Sequence, residues 1–221
     1  MTKEKMVGDV PGNVLGMLAD LAHKLQHRKI TPEELGLFLQ RKNPYDPRLV
    51  WKRFYREVFG MVDDFSDIIL PRKQKGFERL IIVRVNMMPD RLYSKCVERF
   101  ASFKTIDDLA AVKSTRETDK TYAIWVSDNE EADEENRDLS ANECEGHNII
   151  GITLEERLLL ELFYYWQTDK HLDNNNITLC SGSRYSDGSV PLVRCLDGQV
   201  CIGRSDPANA SDFIRTRSVI V

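Results

Sequence analysis

Residues 181–221 read SGSRYSDGSVPLVRCLDGQVCIGRSDPANASDFIRTRSVIV, and they contain no Lys, Glu, Met, Trp or His. The 180 residues before them hold 13 Lys and 16 Glu, so the change in composition is abrupt. The centre of the stretch reads as a β-hairpin, because Asp197-Gly198 is the dipeptide that tolerates positive φ at both corners of a two-residue turn. With those two residues in the loop, Leu196 pairs with Gln199, Cys195 with Val200 and Val193 with Ile202. Val193, Cys195, Val200 and Ile202 then share one apolar face. The opposite face carries Leu192, Arg194, Leu196, Gln199, Cys201 and Gly203, a mixture of sizes and polarities that suits recognition better than a core. A slip of one residue would exchange the two faces, so the pattern specifies the register.

Composition bounds the rest. With 221 residues, 42% hydrophobic and 30% charged, the chain can bury one substantial core or two small ones. A net charge of −4, without a basic cluster interleaved with aromatics, argues against a nucleic-acid partner. No run approaches the ~18 apolar residues of a membrane span, and the opening MTKEKMVGDVPG has no apolar signal core, so a cytoplasmic location is expected. Five cysteines, an odd number without C-x-x-C spacing, point away from a disulfide framework and from structural zinc. His23 and His27 stand four apart but have no third ligand nearby, and the carboxylates from Asp128 to Glu135 lack the glycine and spacing of a calcium loop. Nucleophile elbow, phosphate loop and dinucleotide fingerprint are all missing, and S-G-S-R around Gly182 is too short to cradle a phosphate. The expectation is a protein without catalytic activity, metal or cofactor.

Helical periodicity predicts helices over 13–28, 31–39 and 48–59, the last with Trp51, Phe54, Tyr55 and Phe59 on one side. Thr31-Pro32-Glu33-Glu34 supplies a cap, a proline at the first helical position and a capping-box glutamate. A buried strand is expected over 77–85, a helix from Pro89 to Phe100, a helical turn over 106–112 and a strand over 121–128. Thr153 and Glu156 form a second capping box, opening a helix to about Thr168 that is apolar over much of its circumference and so should pack on two sides. Residues 177–180 and 215–221 read as strands.

The succession YAIWVSD, EADEE, GITLEERLLLELFYYW, HLD, ITLCSGSR, SDGSVP, a D-G hairpin and a terminal R-T-R-S-V resembles a group of proteins from minimal-genome bacteria and archaea. Their C-terminal ends resemble the variable regions of diversity-generating retroelement target proteins. The resemblance implies that a reverse transcriptase copies a template with errors at adenines and that the mutated copy replaces the 3′ end of the gene. Asparagine codons scrambled at both adenines cannot yield Lys, Glu, Gln, Met or Trp, so the composition of 181–221 is what such a process leaves. Gln199 lies outside that set and would be a fixed position or arise from another codon.

For fold, the resemblance implies an α+β chain. An α-rich region, 1–118, would precede a C-type lectin-like domain, 119–221, whose variable region is about 181–217. Tyr122–Val126 and Thr216–Val221 would be its paired terminal strands. For function it implies a display protein that binds a protein or surface ligand. The candidate binding residues are Leu192, Arg194, Leu196, Gln199 and Cys201 on the hairpin, with Arg184, Tyr185, Asp187, Ser189, Arg204, Ser205, Asp206, Asn209 and Asp212 in adjoining loops. The alternative is a regulatory module or small enzyme in which the helical region, with its stripe Trp51, Phe54, Tyr55, Phe59, binds a partner and the β segment is only structural.

Overall fold

The structure is a computed structural model that describes residues 6–7, 10–41, 43, 46–106, 108–117 and 119–221. The chain is of mixed α+β class and forms two units, Met1–Leu49 and Val50–Val221. Residues 79–83, 102–104 and 113–114 share sheets with strands of the C-terminal part.

In the first unit an antiparallel pair, β1 (Met6–Val7) and β2 (Val10–Pro11), precedes α1 (Gly12–Gln26) and α2 (Pro32–Leu39). The capping box of α2 is complete: the Thr31 hydroxyl accepts from the Glu34 amide, and the Glu34 carboxylate accepts from the Thr31 amide. Neither helix has a buried residue.

The second unit begins within α3 (Pro47–Phe59) and continues through β3 (Arg79–Val83), α4 (Pro89–Arg99), β4 (Ser102–Lys104), β5 (Lys113–Ser114) and β6 (Tyr122–Val126). Then come α5 (Ala141–Gly146), α6 (Leu154–Thr168), β7 (Ile177–Leu179), β8 (Ser183–Arg184), β9 (Val190–Leu196), β10 (Gln199–Ser205), β11 (Ile214–Thr216) and β12 (Val219–Ile220). Where a helical turn is expected over 106–112, the described residues form a bend and turn over 109–111 and no helix.

The centre of this unit is α6. Thr153 and Glu156 cap it reciprocally, and every residue from Leu154 to Tyr164 is buried. On one side Trp51 of α3 stacks on Phe163 with ring centroids 4.1 Å apart, and Phe54 meets Phe163 and Trp166 edge-on. The aromatic stripe of α3 is thus core: Trp51, Phe54 and Tyr55 are buried and Phe59 half-buried. Burying a side chain of this size contributes roughly 1.5–3 kcal/mol, a strong reason for the stripe to face inward. The same apolar cluster takes in Leu158, Leu159 and Leu162 of α6 and Val193, Val200 and Ile202 from the sheet.

Two sheets use the remaining faces. One is β12-β6-β3, antiparallel throughout; the other is mixed, with order β11-β7-β9-β10-β4 and parallel pairs at both ends. The expected single closing strand is therefore two, β11 in one sheet and β12 in the other, separated at Arg217 and Ser218. The break has a physical cause, because Arg217 turns inward to buried partners while Ser218 bridges to Gly151. Gly182 also has a packing role: a Cβ there would stand 2.5 Å from the Gly151 carbonyl oxygen, where no larger residue fits.

Candidate functional site

The β9–β10 hairpin has the expected register, with Leu196 opposite Gln199, Cys195 opposite Val200 and Val193 opposite Ile202. Asp197 and Gly198 both take positive φ, 51° and 76°, as a turn matched to the strand twist requires. Alternation then separates two environments. Val193, Cys195, Val200 and Ile202 are buried against the core. On the other face Leu192, Arg194 and Cys201 are half-buried, while Leu196 and Gln199 are exposed.

Neighbouring strands extend this outer face. Cys201 lies between Arg194 of β9 and Phe103 of β4, so the register brings Arg194, Cys201 and Phe103 into one row across the sheet. Phe103 is 51% exposed and Leu196 45% exposed, so both present apolar surface on this face. A shallow groove of about 330 Å³ runs over Thr105, Ile177, Leu192, Arg194, Cys201 and Gly203. Leu179, Val190 and Ile214 form a small separate core with Ala141 of α5, and the half-buried Ile177 and Leu192 pack against it. Part of the sheet is thereby covered, and the part centred on Arg194 is left open.

The other candidates do not join this face as one patch. Tyr185 and Ser205 are corrected from displayed to buried: Tyr185 belongs to the main core, and the Ser205 hydroxyl accepts from the Asn209 amide at 2.9 Å. Arg184 turns back to donate to the carbonyls of Ser181 and Ser183. Asp187 organises its own turn, accepting from the Ser189 amide and hydroxyl, and it holds Arg204 at 2.9 Å. Asp206 accepts from the Ala208 amide within the loop after β10, which also receives the Asn142 amide of α5 on Pro207. Asp212 faces Arg137 at 3.2 Å.

Beneath the sheet, on the side of α6, lies a charge network that the hydropathy pattern gives no hint of. Arg157 and Glu161 of α6 pair at 2.7 Å, Arg157 reaches Asp173 at 2.8 Å, and Arg217 reaches the other Asp173 oxygen at 2.6 Å. All four side chains are fully buried. Arg217 also donates to the Asn129 and Glu130 carbonyls, and His171 lies 2.8 Å from Glu161. Burial alone would raise the Asp173 carboxyl, but the two guanidiniums outweigh it and hold it below its ordinary value. With every charge engaged, this network is a scaffold: it ties α6, the 171–176 loop and the C-terminal segment together, and the Asp173 carbonyl accepts the Cys195 amide of β9.

Two contributors to the site escape sequence reading. Phe103 sits in a three-residue strand too short to show alternation, found only through its parallel pairing with β10. The helix α5 does carry a signal, Ser140-Ala-Asn-Glu143, whose capping box is complete in the structure. Among the described residues no helix is long and apolar enough to cross a membrane, and no group of three or more His, Cys, Asp or Glu is placed to hold a metal ion. Comparison of the chain with family models, with curated proteins and with solved structures finds no match.

Proposed function

We propose that this chain is a non-catalytic binding protein of the retroelement-target kind, with a C-type lectin-like arrangement in its C-terminal part and its binding surface on the outer face of β9–β10. The observation that carries this reading is the separation of the hairpin into a buried row and an open row. Residues of the open row can change without disturbing the row that holds the fold. The pairing of β12 with β6 supports the lectin-like arrangement, in which the terminal strands of the domain lie side by side. The lack of Lys, Glu, Met and Trp after Ser181 supports diversification at asparagine codons. The ligand is a protein or a surface, met by a patch of apolar groups around one arginine, a residue type enriched at binding hot spots.

The test is genomic. A near-copy of the 3′ end of the gene, differing mainly at adenines and lying beside a reverse transcriptase gene, is the expected finding. A locus with neither overturns diversification.

A further inference from the structure

We propose that the open face binds a partner protein through an Asp or Glu side chain seated on Arg194 and flanked by apolar residues that cover Leu196 and Phe103. This rests on the binding-surface reading above and adds the chemistry of the partner.

Five arginines follow Ser181. Four of them are committed within the protein: Arg184 to the carbonyls of Ser181 and Ser183, Arg204 to Asp187, Arg215 to Glu134 and Arg217 to Asp173. The Arg194 guanidinium has no hydrogen bond or ion pair among the described residues. Arg194 is half-buried, between Leu192 and Leu196 on its own face and next to Cys201 on β10, so its stem lies among apolar neighbours while its guanidinium has no counter-charge among the described residues. Such a group gains most from a carboxylate, which accepts two parallel N–H bonds from the planar fork.

The surroundings decide what carries that carboxylate. A phosphate backbone is held by several cations in a row, whereas Arg204 is already neutralised by Asp187 and the chain is net −4. With Arg204, which also lines the groove, held by Asp187, the Arg194 guanidinium beside Ile177, Leu192, Leu196, Cys201 and Phe103 matches one acidic side chain set among apolar ones, with the apolar groups excluding water from the ion pair. Charge complementarity at a single point also fixes the register of the partner on an otherwise apolar face.

A random peptide library selected against the immobilised full-length chain tests this. Peptides enriched on the native protein are expected to share an Asp or Glu flanked by apolar residues. Their affinity should fall about tenfold or more in Arg194→Met, and selection against Arg194→Glu should enrich Lys or Arg at the same position. Leu196→Asp and Phe103→Asp report on the face itself, and thermal melts confirm that each variant is folded. Peptides that respond to Leu196→Asp or Phe103→Asp but show no acidic preference and ignore Arg194→Glu overturn the carboxylate and leave the surface standing. Peptides indifferent to all of these variants, or a library from which nothing enriches, overturn both.

Discussion

The two faces of the β9–β10 hairpin are built from alternate residues of the same two seven-residue strands, yet near the turn they differ in nearly every physical respect. Towards the turn the inner face, Val193, Cys195, Val200 and Ile202, is apolar and buried, with Val193, Val200 and Ile202 joined to the core around α6, and the charge network of Arg157, Glu161, Asp173 and Arg217 lies on that side. The outer face over Leu192, Arg194, Leu196, Gln199, Cys201 and Gly203 mixes sizes and polarities and is partly or wholly open, whereas Val190 and Ser205 at its far end are buried. A period of two lets one strand carry fold and recognition independently, because neighbouring side chains never share an environment. If that separation is real, substitutions on the two sides should differ in cost by several kcal/mol.

The largest effect is expected in the network. Asp173→Asn leaves two buried guanidiniums short of a counter-charge, and removing one partner of a buried ion pair costs about 3–5 kcal/mol. Because the folded protein holds the Asp173 carboxyl below its ordinary value, its contribution is present above about pH 4 and is lost as pH falls through the folded-state value. Melting temperature measured from pH 6 down to pH 3 should therefore drop more steeply for the native protein than for the variant. Parallel curves would show that Asp173 does not carry the stability assigned to it.

On the hairpin itself, Ile202→Ala removes buried methylenes and leaves a cavity under the sheet, with an expected loss of about 2–4 kcal/mol. Denaturant titration reads this directly as a shift in midpoint at constant slope. A loss below about 1 kcal/mol would mean that the inner row is not packed as described, and the contrast between faces would weaken with it.

What the sequence discloses and what it hides divide along physical lines. The hairpin register, both capping boxes involving Thr31 and Thr153, and the double-sided packing of α6 are legible because each rests on local spacing. Arg157 and Glu161 are not legible as buried, since charged residues on a helix ordinarily face solvent; only tertiary partners, Asp173 sixteen residues from Arg157 and His171 ten residues from Glu161, make their burial affordable in electrostatic terms. The split of the closing segment into β11 and β12 is hidden for the same reason, because Arg217 breaks the alternation to reach Asp173. For the site, the outer row Leu192, Arg194, Leu196, Gln199 and Cys201 follows from alternation alone, whereas Phe103 enters from a strand distant in sequence. Tyr185 is the reverse case: its position in a turn suggests display, but the turn folds the ring into the core.

The smallest expected effect tests the comparison most sharply. Leu196→Ser and Arg194→Gln alter the outer row without removing any hydrogen bond or ion pair seen among the described residues, so each should change stability by no more than about 0.5 kcal/mol. Arg194→Gln can even be slightly stabilising, because the guanidinium has no hydrogen bond or ion pair among the described residues to lose. The sign matters more than the size. A residue kept for binding is held against a small cost to the unbound fold, so equal or greater stability in Arg194→Gln, together with lost peptide binding, is the signature of an outer row maintained for recognition. A loss of about 2 kcal/mol or more in either variant would place these side chains in the packing of the sheet and close the gap between the two faces.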